Sequence, residues 1–278
     1  MKRGLLVLLL VVLVAGGFCL FSSPSGNLAI VKLEGGLYES DPLVRVLDRL
    51  EKDPKVKAVV LRIDSPGGSV GAAQELYEAI GNLAARKKVS ASMGAVAASG
   101  GYYVALPCHK IYANSGTITG SIGVRMEYLN VEELLNWAKL RPETLKSGKW
   151  KDVGSPIRPM SPEEREYLQA LLQKMHQQFR SAVASARHLE EGRVASLTEG
   201  QVYTGEEAKE LGLIDELGGL QAATRAAAEL AGIPGEPKVF YPEKEYDSWS
   251  ERILGKTADG LVHNWGRVNS PWIRFSYE

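Results

Sequence analysis

The chain has 278 residues, with 33 Lys+Arg against 33 Asp+Glu and a formal net charge of zero. That balance argues against a nucleic-acid partner, which demands a basic excess or cluster, and only short pairs such as Lys87-Lys88 occur. With 45% hydrophobic and 24% charged residues, the chain is neither disordered nor low in complexity, and it can bury a core in one large domain or two modest ones.

Charge is spread unevenly. Lys2 and Arg3 are the sole charges in the first 31 residues, and Gly4 to Phe21 is an apolar run of 18 residues. As a helix at about 1.5 Å per residue it spans about 27 Å, close to the hydrocarbon thickness of a bilayer. Residues 1–25 are therefore expected to form one N-terminal transmembrane helix in contact with lipid through residues 4–21. A retained anchor is favoured over a signal peptide cut within Ser22-Ser23-Pro24-Ser25-Gly26. Phe18 disfavours a lipoprotein site at Cys19. The positive-inside rule keeps Lys2 and Arg3 cytoplasmic, so the expected location is the inner (cytoplasmic) membrane, with the body on the extracytoplasmic side. Cys108 is the one cysteine of the body, so no disulfide forms within it.

In the body, Asn27 to Leu33 reads as a strand closed by Glu34-Gly35-Gly36. Asp41-Pro42 reads as an N-cap with proline at the first helical position, and Leu43, Val44, Val46, Leu47 and Leu50 follow at helical spacing. Val56 to Ile63 is a nearly continuous apolar strand, as expected when both faces of a sheet are covered. Ser69 to Lys87 reads as a helix, and Val89 to Met93 and Ile111 to Ala113 as strands. This order predicts right-handed βαβ units and an α/β fold. Capping boxes at Ser161-Pro162-Glu163-Glu164 and Thr204-Gly205-Glu206-Glu207 open a long helix to about Leu189 and a short one ending at Gly212. Leu217 to Ala231 is a further Ala-rich helix. The domain reading is an anchor (1–25), a body (26–235) and a C-terminal tail (236–278) that packs on it.

Two glycine-bearing loops carry the chemistry. Asp64-Ser65-Pro66-Gly67-Gly68 follows a buried strand, where ligands of open α/β sheets bind and where glycine lets backbone N–H groups approach a substrate. Those groups suit a phosphate or the oxyanion of an acyl-transfer intermediate, although neither the Walker pattern nor GxGxxG is present. The second loop runs from Gly94 to Tyr103 and surrounds Ser99 with small residues, either as an exposed nucleophile or as an ordinary helix cap. His109, His176, His188 and His263 give poor support to a Ser-His-Asp triad, and no metal-site spacing or cofactor motif is found. A desolvated lysine can serve as the base, since its pKa falls from near 10 to about 7 or 8. Lys146, Lys149 and Lys151 are the candidates, and spacing does not choose among them.

The motifs Asp64-Ser65-Pro66-Gly67-Gly68, Ala97-Ala98-Ser99-Gly100-Gly101-Tyr102-Tyr103, Thr119-Gly120-Ser121-Ile122-Gly123-Val124 and Ser147-Gly148-Lys149-Trp150-Lys151-Asp152 follow in the order and spacing of the signal peptide peptidase A family, also called protease IV. Val202-Tyr203-Thr204-Gly205 and Leu211 to Gly219 resemble its later signature, and the likeness spans roughly Asn27 to Ile233. The chain resembles the short, single-copy form.

This resemblance implies a Clp-protease/crotonase-like α/β fold and a serine endopeptidase with a Ser-Lys dyad. Ser99 matches the nucleophile, Lys151 the general base and Ser121 the residue that orients the lysine. Gly68 and Gly100 match the oxyanion-hole amides, and no cofactor or metal is implied. The implied substrates are remnant signal peptides released by signal peptidase, and the small apolar lining of Ala95, Val96, Ala97 and Ala98 suits small or aliphatic side chains beside the cut. The implied assembly is a homo-oligomer, an octamer, whose dyads combine Ser and Lys from neighbouring subunits. The alternatives are a crotonase-type acyl-CoA enzyme, which would need a carboxylate acid/base, and a silent membrane scaffold.

Overall fold

The computed structural model describes residues 26–242 and, for the backbone alone, 274–277. The predicted membrane segment and His263 lie outside these residues. No described helix is long and apolar enough to cross a membrane.

The core is a mixed α/β sheet built on β1 (Leu28–Glu34), β2 (Ala58–Ser65), β4 (Lys88–Ala98), β5 (Lys110–Ala113), β9 (Glu216–Leu217) and β10 (Val239–Phe240). Its order is β10-β1-β2-β4-β5-β9, with every neighbouring pair parallel. Alternation along the strands serves two faces. Leu28, Ile30, Ala58 and Val60 pack with Ala223, Ala227 and Ala228 of α8 (Leu220–Leu230). Ala29, Val31, Leu33, Val59, Leu61 and Ile63 point the other way, into the cluster built with α1 (Asp41–Lys52) and α2 (Val70–Arg86). Covering both faces is what makes β2 a nearly unbroken apolar run.

The N-cap of α1 is Ser40, not Asp41, which is the first helical residue. The Ser40 hydroxyl makes no capping bond and donates instead to Glu75 of α2, tying the two helices together. Both expected capping boxes are present. Ser161 and Glu164 open α5 (Pro162–Arg187), and Thr204 and Glu207 open α7 (Gly205–Glu210) after β8 (Val202–Thr204). The helix α5 ends at His188, in the left-handed conformation at φ 52°. Phe179 of α5 is fully buried, edge-on to Tyr103 at 4.9 Å, and Tyr103 in turn meets Tyr77 at 4.8 Å.

One element differs from its sequence expectation in a way that builds the site. The strand β4 does not stop at Met93 but runs 11 residues, to Ala98. Its first half, Ser90–Ser92, pairs β5, and its second half, Val96–Ala98, pairs β6 (Ile118–Gly120). The small residues that read as a loop are there because the strand is crowded. A β-carbon on Gly94 would lie 2.6 Å from the Asp64 Oδ2. Side-chain hydroxyls pin this half of the strand: Thr117 donates to the Gly94 carbonyl and Thr119 to that of Ala97, each at 2.7 Å.

Candidate active site

Ser99 sits between the end of β4 and α3 (Gly100–Tyr103), at φ 54° and ψ −118°. A non-glycine residue in that region costs on the order of 1–3 kcal/mol and persists only where its surroundings impose it. Here the Ser99 N–H donates to the Gly120 carbonyl at 2.8 Å, and its carbonyl accepts from Tyr103 N at 2.9 Å. Below α3, the buried Tyr102 hydroxyl donates to the Leu213 carbonyl at 2.7 Å, and burial pushes its phenol pKa up. The turn is thus fixed from both sides. The Ser99 hydroxyl is buried and has no hydrogen-bond partner among the described residues.

The Asp64–Gly68 loop closes over this serine. Asp64 accepts from the N–H groups of Val96 (3.1 Å) and Ala95 (3.4 Å), locking the end of β2 to β4. The Ser65 hydroxyl accepts from Gly67 N at 3.2 Å. A β-carbon on Gly100 would lie 3.2 Å from the Gly67 Cα and 3.4 Å from the Gly68 nitrogen, so the two glycine segments abut. A β-carbon on Gly101 would come within 2.5 Å of the Ser65 carbonyl oxygen. The Gly67-Gly68 and Gly100 segments thus meet next to a buried hydroxyl that has no partner among the described residues, and glycine backbone beside a hydroxyl is a combination that acyl transfer can use. Ser121, at φ 50°, follows Gly120 directly and so lies one residue from the carbonyl that holds Ser99 N.

Lys151 is not joined to this serine by any bond among the described residues. It is exposed, in the turn after Gly148, and no hydrogen bond or ion pair among those residues joins it to Ser121. Its neighbours are engaged. Lys146 pairs with Asp152 at 2.7 Å; Lys149 pairs with Glu163 and lies 4.7 Å over the Trp150 ring. Sequence reasoning passed over Arg158, which anchors this turn. Its guanidinium donates to Asp152 Oδ2 and to Glu164 Oε2, both at 2.9 Å, tying the residue after Lys151 to the start of α5. The signal was present in the capping-box Glu164, a buried carboxylate in search of a cation.

The Arg158 hydrogen bonds hold the Asp152 and Glu164 carboxyls well down, at about 2, with Lys146 adding to the first and the Ser161 N–H to the second. Both folded-state values lie below their unfolded ones. The stabilisation is therefore complete above the unfolded carboxyl pKa of roughly 4 and is lost as pH falls from there to about 2. Hydrogen exchange of residues 148–160 should accelerate across that acid window before the core unfolds, and Arg158→Ala should remove this step.

The described histidines have structural roles. His109 Nδ1 accepts from Val89 N at 3.2 Å, and burial and the Lys88 charge lower its pKa, although the Val89 hydrogen bond works the other way. His176 Nε2 bonds the Thr198 carbonyl at 2.6 Å. The Leu211–Gly219 signature is also structural: Asp215 accepts from Ile111 N at 2.8 Å and from Arg187 at 3.1 Å, fastening β5.

The mixed α/β sheet carries a buried serine at a strained turn against two glycine segments, an arrangement compatible with a serine-type protease. Comparison with known sequences agrees. Residues 82–234, more than half of the chain, match peptidase family S49, and residues 36–112 match Clp protease. The chain belongs to peptidase family S49, among the SppA-type proteases. It is 45% identical over 182 residues to a Synechocystis sp. protein bearing a protease name, a match covering 66% of this chain and 66% of that protein. It is 36% identical over 217 residues to the chloroplastic serine protease SPPA of Arabidopsis thaliana, over 78% of this chain and 32% of that protein. The chain thus spans under two thirds of the length of these relatives. Among solved structures it is similar to a ClpP1 mutant from Listeria monocytogenes, at 15% identity and TM-score 0.48, over 70% of this chain and 93% of that one.

Proposed function

We propose that the chain is a membrane-anchored serine endopeptidase in which Ser99 and Lys151 form a catalytic dyad, and that it hydrolyses remnant signal peptides. The Ser99 Oγ attacks a peptide carbonyl while its proton passes to the neutral Lys151 amine. The oxyanion is held by the amides of Gly68 and Gly100, and the C–N bond breaks as the lysine returns that proton to the leaving amine. Water, deprotonated by the same lysine, then hydrolyses the acyl-enzyme. The observation that carries this reading is the Ser99 hydroxyl, buried and unpartnered at a strained turn against two glycine amides.

The lysine comes from a neighbouring copy in a ring, the octamer of the family resemblance, with Ser121 orienting it. Two features support sharing. Lys151 is exposed whereas Ser99 is buried, and the segment leading to it displays Leu129, Leu134, Trp137, Leu140 and Leu145, each more than half exposed. Apolar side chains at that density call for a partner surface. Residues 4–21 hold the body at the extracytoplasmic face of the membrane.

The test is hydrolysis of a synthetic signal-peptide fragment by the full chain in detergent micelles, with products identified by mass. Internal cuts beside small or aliphatic residues are expected. An intact fragment, alongside cleavage of unrelated soluble peptides, would overturn the substrate assignment.

A further inference from the structure

We propose that Asp64 is a positioning residue of the active site: its carboxylate takes the place of missing ladder partners at a bulge in β4, and so fixes where Ser99 meets the oxyanion amides. The proposal rests on the reading of Ser99 as nucleophile and of the Gly68 and Gly100 amides as oxyanion donors.

The pairing of β2 with β4 shows the bulge. The register is regular from Ala58 opposite Lys88 to Ile63 opposite Met93, and it resumes at Ser65 opposite Ala97. Between those two pairs β2 has one residue, Asp64, and β4 has three, Gly94, Ala95 and Val96. Residues of β4 are thus in excess over their partners, and a bulge of this kind bends the strand that carries it. The bend falls where β4 leaves β5, which it pairs through Ser92, and joins β6, which it pairs from Val96. It directs Ser99 to the end of β6, where the Gly120 carbonyl accepts the serine N–H at 2.8 Å.

A bulge leaves backbone groups without ladder partners, and here one side chain accepts from two of them. Asp64 Oδ1 accepts from Val96 N at 3.1 Å and Oδ2 from Ala95 N at 3.4 Å. Successive amides of a regular strand face opposite edges, so it is the bulged conformation that offers both to one carboxylate. Fit matters as much as bonding. A β-carbon on Gly94 would lie 2.6 Å from Oδ2 and 2.8 Å from Cγ, so glycine is what lets the carboxylate reach in. The backbone of Asp64 is tied as well, its carbonyl accepting from Gly35 N at 3.0 Å. From this anchored residue the chain takes four steps to Gly68, at the start of β3 (Gly68–Ser69), and from Val96 it takes three to Ser99. One side chain thereby sets the spacing between the nucleophile and an oxyanion donor, where a misplacement of about 1 Å can cost about a hundredfold in rate.

The test compares a short peptide ending in alaninal with its alaninol counterpart, each titrated into the full chain in detergent micelles and into its Asp64→Ala and Asp64→Asn variants. With the aldehyde, Ser99 Oγ bonds to the carbonyl carbon, the π pair becomes the oxyanion and the hydroxyl proton passes to the Lys151 amine. The alcohol forms no such bond. Asp64→Ala should weaken the aldehyde about a hundredfold and leave the alcohol within about twofold, with kcat falling in the same proportion as the aldehyde affinity and KM unchanged. Asp64→Asn keeps an oxygen for Val96 N and should recover all but about tenfold of the loss, and it decides the matter if the alanine variant does not fold. Equal loss of both ligands, as general loosening would give, or no loss of the aldehyde by whichever variants fold, overturns the proposal. A second arm uses no ligand. Hydrogen exchange over 94–100 should accelerate at least about tenfold in the variants, with 59–63 and 89–92 as slow as before, and unchanged exchange over 94–100 also overturns the proposal. An unsubstituted chain that binds the aldehyde no more tightly than the alcohol would count against Ser99 as nucleophile alone, since the exchange arm still decides whether Asp64 holds the strand.

Discussion

Ser99→Ala is expected to lower kcat/KM for a signal-peptide fragment by at least about 10³-fold while leaving the melting temperature unchanged or higher. The two halves of this result have one cause. The hydroxyl is buried with no hydrogen-bond partner among the described residues, and an unsatisfied buried polar group costs about 1–3 kcal/mol. Alanine removes that atom and adds nothing that must fit. Ser99→Gly should go further in stability, because glycine meets little penalty at φ 54°. Paired kinetic and thermal measurements on the three chains check this. A residue that served only to cap α3 would behave in the opposite way, with stability falling and cleavage intact.

The βαβ framework was legible because its strands and helices obey their own periodicities. Leu28 to Val31 and Ala58 to Ile63 divide their side chains between two covered faces, and the helix over 70–86 shows both its length and its ends. The second half of β4 was not legible. Gly94, Ala97 and Ala98 look like a loop in composition, yet they are small because Asp64, Thr117 and Thr119 press against or bond that stretch of strand from 22 to 32 positions away in sequence. The N-cap at Ser40 was displaced from Asp41 by a similar long-range contact, with Glu75. Within the site, Ser99 stood out by its small neighbours, but no local rule could choose Lys151 over Lys146 or Lys149; the family motif did. The structure adds a physical contrast, since carboxylates hold the other two. The seating of Arg274–Tyr277 against Gly68 had no local signal, because a strand of four residues gains its identity from the edge it meets.

Lys151→Ala should abolish cleavage to about the same extent as Ser99→Ala, whereas Lys149→Ala, whose partner is Glu163, should retain it. The stronger result comes from combining the two inactive chains. A lysine acts as a base only when its ammonium is desolvated, and the exposed Lys151 of one chain has no covering surface of its own. A neighbouring copy would supply that surface and, at the same time, the serine. In a ring joined head to tail, each working site then needs an intact Ser99 from one chain and an intact Lys151 from the next. Co-expressing Ser99→Ala with Lys151→Ala in equal amounts leaves about one site in four intact, so about a quarter of full activity should return if assembly is random. A dyad confined to one chain predicts none. Leu134 and Trp137, more than half exposed near this turn, offer an independent check. Replacing both with Ser should shift the sedimentation profile toward single chains and remove cleavage together with assembly. Full activity in a monomeric double variant would place the base within the chain that carries the serine.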